Sequence, residues 1–418
     1  MTYIKPETLP NQSLSSVRAI LHLGTKAAHR QDWLTLSNYL KQLPQKQNDK
    51  KEQEFDLNRD DWNTALNLAI SMLIKAEFAH KWSINKLLPW FGEEIIPVLI
   101  ALVKDEKVEA DVRWLVCQTL GKFSQPEVVL TLVELLDSTT NQELIAIAGK
   151  TLTRIGDNAI DALQKLLTQP KHQVLAVQSL YYIRTAKTIE PLLEIAENYN
   201  SELKAIAIEA LGSFHDCRIP PVLIKALQDK ASNVRQKAAI ALGFRADLAG
   251  KLNLVEHLSP LLSDFNLEVC RQAAISLSRM KNETATAAIF KVLQSDITPV
   301  RLKLDLVKAL GWSEIDSSIG YLANALNCSV PAVTVEIITV LGRTNQAELK
   351  SQAARILVDF WHSSSSQLEL SQIKQSLATS LGELGDECGK EILEQLRQDS
   401  DRKVKLYAVS ALKKIFSN

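Results

Sequence analysis

Val234-Arg235-Gln236-Lys237-Ala238-Ala239-Ile240-Ala241-Leu242-Gly243 is the stretch from which the fold of this 418-residue chain can be read. Val234, Ala238 and Leu242 recur at i, i+4 and i+8, which puts them on one face of a helix. The small alanines beside them let a neighbouring helix come close. The same ten-residue frame returns at Val112 to Gly121, Leu203 to Gly212, Val269 to Ser278, Leu302 to Gly311, Val333 to Gly342, Ile373 to Gly382 and Val404 to Lys413, and looser copies end near Leu152 and Leu180. The leucine that closes each frame falls at 120, 152, 180, 211, 242, 277, 310, 341, 381 and 412, so most steps are close to 31 residues. That period holds two helices of about a dozen residues and two short turns, one αα-hairpin per repeat. After the closing leucine and glycine comes a second apolar helix, as in Pro221-Val222-Leu223-Ile224-Lys225-Ala226-Leu227. The glycine itself is expected to stop the first helix by taking the left-handed conformation.

An acid or amide precedes the frame by five to seven residues at Asp105, Asp137, Asp229, Asp264, Asp296, Asn327 and Asp399. A side-chain oxygen there can accept from helix N-terminal amides, or pair with an arginine of its own or a neighbouring repeat. Arg113 and Arg235, second in their frames, are expected to belong to this structural ladder. The competing reading is a row of ligand-gripping arginines.

The first 90 residues do not fit the frame. Residues 13–29 and 31–43 read as helices, the polar stretch 44–61 reads as a linker, and 63–80 resumes helical periodicity. The expected division is therefore an irregular helical cap over 1–90 and a repeat region over 91–418. Trp33, Trp62, Trp82, Trp90 and Trp114 all fall in the first 114 residues. They read as large side chains closing the open end of a stack, or as an aromatic pocket for a planar ligand. A 40-residue step separates Leu341 from Leu381; Ser363 to Ser366 within it suggest an inserted turn or a local hinge.

Composition narrows the function. Lys plus Arg and Asp plus Glu are both 48, so the net charge is zero, which disfavours extended binding to nucleic-acid phosphates. Fourteen glycines are about half the usual share, which argues against β-rich or nucleotide-binding folds full of tight turns. Cys117, Cys217, Cys270, Cys328 and Cys388 are scattered, without a C-x-x-C pair, and read as reduced thiols. Residues 1–14 hold no apolar run of the signal-peptide kind, and no segment reaches the roughly 18 apolar residues of a membrane span. A cytoplasmic protein without membrane insertion is expected.

Motifs for chemistry are sparse. Gly385-Asp386-Glu387-Cys388-Gly389-Lys390 is followed by Glu391 and does not meet the spacing of a phosphate-binding loop. His215 and Cys217, in the turn after Gly212, could hold a metal or favour a thiolate, although Asp216-Cys217-Arg218-Ile219-Pro220 is also an ordinary way to leave one helix and begin the next. Cys388 occupies an equivalent turn, and Cys117 sits at a core position of its frame.

Over residues 85 to 418 this arrangement resembles HEAT repeats, in particular the short HEAT-like repeats of the phycobilin-lyase group. The resemblance implies an all-α fold, a curved α-solenoid of about ten helical hairpins on an atypical helical N-terminal cap. Early lyase repeats read R-Y-Y-A-A-W-W-L-G-K; Arg113, Leu120, Gly121 and Lys122 match, Trp114 keeps one aromatic, and 115–119 are Leu, Val, Cys, Gln and Thr. The HEAT-like hydroxylases acting on deoxyhypusine carry His-Glu pairs as iron ligands; here none of the seven histidines is followed by Glu.

In HEAT pairs the frame helix usually lines the concave face, so its third and seventh positions should face a groove. They supply Trp114, Gln118, Lys150, Gln178, Glu209, Gln236, Ile240, Arg271 and Ile275, with Lys237 beside them. This uncharged mixture suits a protein partner or an extended peptide. The expected function is a non-catalytic adaptor without catalytic, metal or cofactor residues. Its contacts are Trp114, Gln118, Lys150, Gln178, Glu209, Lys237 and Arg271. Resemblance to the cyanobacterial lyase-like proteins that are not lyases implies an iron–sulfur carrier protein as partner. The alternative is a phycobilin lyase or bilin chaperone taking phycocyanobilin and a phycobiliprotein subunit.

Overall fold

The structure, a computed structural model, describes residues 14–43, 58–326, 329–363 and 365–417. Among these, all regular structure is helical and no strand occurs. The chain forms two compact units, Met1–Pro191 and Leu192–Asn418. The change from irregular to periodic sequence near residue 90 lies inside the first.

The first unit contains α1 (Leu14–His29), α2 (Trp33–Lys41), α3 (Arg59–Lys75), α4 (Phe78–Asn85), α5 (Ile96–Lys104), α6 (Ala110–Leu120), α7 (Pro126–Ser138), α8 (Gln142–Ile155), α9 (Ile160–Leu166) and α10 (Gln173–Ile183). Helices α4, α6, α8 and α10 stack in one layer, and α5, α7 and α9 in a second. Helix α3 packs on α4 just as α5 packs on α6, so the stacking begins before the recognisable frame. Of the polar stretch 44–61, residues 44–57 lie outside the described residues. Residues 58–61 cap and open α3, where the Asn58 side chain accepts from the Asp61 amide at 2.8 Å. The expectation for residues 1–13 likewise falls outside the described residues.

The second unit contains α11 (Ile189–Asn198) from Leu192 onward, α12 (Ser201–Leu211), α13 (Ile219–Ala226), α14 (Ser232–Gly243), α15 (Leu254–Leu258), α16 (Leu267–Ser278), α17 (Glu283–Gln294), α18 (Val300–Ser313), α19 (Asp316–Leu326), α20 (Pro331–Gly342), α21 (Ala347–His362), α22 (Ser371–Leu384), α23 (Lys390–Leu396) and α24 (Arg402–Ser417). Its even-numbered helices again form one continuous layer, α12 through α24, and α17, α19 and α21 run alongside. The fold is an all-α solenoid of stacked hairpins. All ten closing leucines are buried, each removing roughly 2–3 kcal/mol worth of side-chain surface from water. Recurrent asparagine caps start the helices: Asn141, Asn200 and Asn266 each accept from two backbone amides of the first turn.

The frame glycine does not stop the helix by the left-handed turn that its position suggests: α6 and α12 end just before it and α14 and α20 on it, in each case without a positive φ. Left-handed glycines occur at Gly92, Gly156 and Gly385, none of them a frame position. Helix α18 runs through Gly311 to Ser313 and α22 through Gly382 to Leu384. The glycine instead admits the next even helix: a Cβ at Gly342 would lie 2.7 Å from the Ser380 Cα. The long step between Leu341 and Leu381 is taken up by the sixteen-residue α21 and a 3-10 turn at Ser366–Glu369, whose Gln367 donates to the Ser329 carbonyl at 2.8 Å.

Candidate partner-binding face

Most acids of the expected ladder brace the stack. Asp264 accepts from the Asn266 amide at 2.8 Å in its own turn and from Nε and Nη2 of Arg235, both at 2.7 Å, from the preceding frame. Lys204 and Lys374 occupy the arginine position of their frames and reach Asp229 at 3.7 Å and Asp399 at 2.8 Å. Burial works against the Asp264 charge, but the Arg235 and Asn266 hydrogen bonds overcome it and hold the carboxyl below the usual range. Arg113 departs from the pattern by donating to the Val103 carbonyl at 2.8 Å, while Asp137 is engaged by Lys171 and His172, each at 3.2 Å. Cys270 stands at the arginine position before Asp296 and has no charge to offer.

Asp105 only accepts from the Lys107 amide of its own turn, and Asn327 lies outside the described residues. With Asp137, Asp229, Asp264 and Asp399 committed to stacking, the outward face of the even helices is what remains for recognition. In the first unit Phe78, Trp82 and Trp114 form a run of stacked rings, 6.4 and 6.3 Å between centroids, with the Lys86 ammonium 5.5 Å from the Trp82 ring. On α4, which also carries Phe78 and Trp82, Lys81 is a buried lysine held by Glu109 at 2.6 Å and Asp111 at 3.0 Å. Burial disfavours its charge, yet the two carboxylates more than offset that and raise its pKa. Trp33 is buried and Trp62 meets Phe91 edge-on at 5.8 Å, so the early tryptophans serve different contacts. Gln118 is half-buried, and Lys150 and Gln178 are exposed.

In the second unit Glu209 of α12 and Lys237 of α14 pair at 2.8 Å. Arg271 of α16 lies 3.4 Å from Glu268 and 3.9 Å from Asp305 of α18. Of the expected contacts only Glu209 and Lys237 meet each other, while Arg271 meets acids outside that set. Gln236, Ile240 and Ile275 are half-buried alongside. Further on, a groove of about 950 Å³ is lined by Thr339, Arg343, Gln375, Ser376, Thr379 and Tyr407, among others, from α20, α22 and α24 or the turns beside them.

One row escaped the sequence reading. Phe244, Arg279, Trp312 and Arg343 each stand one residue past the frame's closing position, and all four are exposed, Phe244 by 62% and Trp312 by 54%. The Arg279 guanidinium lies 4.4 Å from the Phe244 ring centroid. The signal was present as the eleventh residue of each frame, but a glycine read as a helix stop removes that residue from the helix.

His215 and Cys217 are both exposed in the turn between α12 and α13. Asp216 between them accepts from the backbone amide of Arg218 at 2.9 Å and from its Nε at 3.0 Å, which lowers the carboxyl pKa to about 2. That clasp is a structural turn. Partial burial of its sulfur and the adjacent Asp386 push the Cys388 thiol up to about 12, and burial takes Cys117 to about 12 as well. Neither is an activated thiol at neutral pH. Among the described residues no three His, Cys, Asp or Glu side chains gather as a metal site, and no helix is long and apolar enough to cross a membrane.

A profile of HEAT repeats matches residues 66–153, 96–184, 189–259 and 220–311. It begins inside α3, consistent with the early onset of stacking. No curated protein sequence matches the chain. Among solved structures, that of Kap95p binding RanGDP is similar over 98% of this chain and 60% of its own, at 13% identity and a TM-score of 0.52. Importin beta in a polyethylene glycol condition is similar over 97% and 65%, at 11% identity and a TM-score of 0.51. The chain thus spans about three fifths of these larger solenoids. Human deoxyhypusine hydroxylase is matched over 65% of this chain and 99% of its own, at 19% identity and a TM-score of 0.28.

Proposed function

Because the chain belongs to the HEAT-repeat family, we propose that it is a cytoplasmic, non-catalytic scaffold that holds a protein partner against the face of its even-numbered helices. The observation that carries this reading is the division of labour among side chains. Stacking uses the closing leucines, the frame alanines and the acid ladder, yet the even-helix face also carries exposed aromatic and charged side chains that no neighbouring helix covers. Aromatics and arginines are the residue types that dominate binding energy at protein interfaces. The similarity to the lyase-like HEAT proteins adds an iron–sulfur carrier protein as the first partner to try.

Affinity capture from a lysate of the native cell tests the scaffold. Lys237→Glu combined with Arg271→Glu reverses two charges on the face and should lose a partner that the unmodified protein retains. Retention of every specific partner by that variant, with unchanged melting, would overturn the assignment of the face.

A second reading rests on the Phe78, Trp82 and Trp114 stack, whose ring faces suit a planar conjugated ligand such as phycocyanobilin. A bilin lyase or chaperone would then act here on a phycobiliprotein subunit. Mixing the purified protein with phycocyanobilin separates the two readings: a red-shifted stoichiometric band that Trp114→Ala abolishes supports the bilin site, and an unaltered spectrum eliminates it.

A further inference from the structure

Phe244, Arg279, Trp312 and Arg343 occupy the same frame position on four consecutive even helices or the residue that follows each one. Because α14, α16, α18 and α20 stack in order, the four side chains form a row that alternates aromatic and cationic. At roughly 8–10 Å between packed helices the row spans about 24–30 Å. An extended chain advancing about 3.3 Å per residue covers that span in eight or nine residues.

The charge along the row is unbalanced in a chain whose total charge is zero. Arg279, Arg343 and the adjacent Lys308 of α18 have no carboxylate partner among the described residues. Elsewhere on the same layer the cations are answered: Lys237 by Glu209 and Arg271 by Asp305. Past Arg343 the same frame position is Glu383 of α22, which lines the groove beside Arg343 and is paired with Lys414, so the unanswered cations end at Arg343. Glu336 of α20 lies seven residues before Arg343, about 10 Å down the helix and away from the row. Arg279 lies over the Phe244 ring and is exposed, and a guanidinium stacked on a ring keeps its edge donors for a carboxylate.

We propose that this row is a docking track for an extended acidic segment of a partner protein, its carboxylates taken by Arg279, Lys308 and Arg343 and an apolar side chain packed on Trp312. The proposal rests on the scaffold reading and names the chemistry of its partner. The aromatic positions are two helices apart, so the matching apolar residues of the segment recur about every five or six residues. The groove beyond Arg343, lined by Thr339, Gln375, Ser376, Thr379 and the carboxylate of Glu383, offers hydroxyl and amide groups to the backbone of the segment, whose acidic residues therefore end at Arg343.

Fluorescence anisotropy with the full chain tests the track. The probe is a labelled twelve-residue peptide of glutamates with a phenylalanine at every fifth position. The comparison probes are the same peptide with lysine for every glutamate, and a twelve-nucleotide oligothymidylate. The acidic peptide should bind and weaken steeply as salt rises. Arg279→Glu with Arg343→Glu should cut its affinity at least tenfold, and Trp312→Ala several-fold, at unchanged melting temperature because all three side chains are exposed. The track is overturned if the acidic peptide does not bind, if the lysine peptide or the oligonucleotide binds as well, or if the double variant binds the acidic peptide undiminished. The lysate capture with Lys237→Glu and Arg271→Glu is read separately, so the track can fail while the scaffold stands.

Discussion

At the scale of single residues the contact most able to decide stability is Arg235 with Asp264. Both side chains are largely shielded, at 15% and 9% exposure, and Arg235 also donates to the Asp229 and Lys230 carbonyls at 2.8 and 3.0 Å. Arg235→Ala leaves the Asp264 carboxylate with little but its own turn and should cost about 3 kcal/mol, read as a shift in urea midpoint at constant slope. The folded pKa of Asp264 is depressed, so its contribution is fully present above the unfolded value near 3.9 and is lost as pH falls through the folded value. Asp264→Asn should therefore flatten the loss of stability on acidification below about pH 4. The acids were legible because a carboxylate five residues before a helical frame has few structural uses. The detour of Arg113 to the Val103 carbonyl was not, nor was the engagement of Asp137 by Lys171 and His172, which lie 34 and 35 residues further along the chain.

At the scale of elements the repeat was legible from its closing leucines, all ten of them buried, because that position tolerates little else. The role of the adjacent glycine was not. A glycine near a helix end serves equally to reverse the backbone or to admit a neighbour, and one strand of sequence does not say which. With the backbone of Ser380 against it, Gly342→Ala should destabilise by about 1–3 kcal/mol through overpacking, although alanine is the better helix former. The result is checked by thermal melting beside an alanine at Gly250, where a Cβ meets nothing within 4 Å. A gain in stability at Gly342 would show that helix propensity, rather than close approach, governs the site. The same misreading hid Phe244, Arg279, Trp312 and Arg343, since a residue placed beyond a helix stop is not assigned a helix face.

At the scale of the whole molecule, zero net charge bears on the class of partner only by exclusion. The charges nearly balance even along α14 to α20, and the cations without a carboxylate partner are confined to Arg279, Lys308 and Arg343, a distribution that no sum over the sequence could reveal. The helical stacking of the first 90 residues was similarly hidden, because α3 and α4 pack like a repeat without spelling the frame.

The eighth frame position has a mechanical consequence. Thr119 donates to the Asn85 side-chain oxygen at 2.6 Å, Thr151 to the Cys117 carbonyl at 3.2 Å and Ser276 to the Ala239 carbonyl at 2.7 Å, each crossing to the previous even helix. At α12 with α14 and at α22 with α24 that position is Ala241 or Ala411, which lies against a glycine. Dispersion contacts resist separation of two helices but have no preferred direction along their axes, whereas a hydrogen bond does. The stack is thus a series of riveted and greased joints. Pulled from its ends in an optical trap, the second unit should yield first at the alanine joints, and Ala241→Ser should raise the force of the earliest step; first rupture at Ser276 would reverse the order.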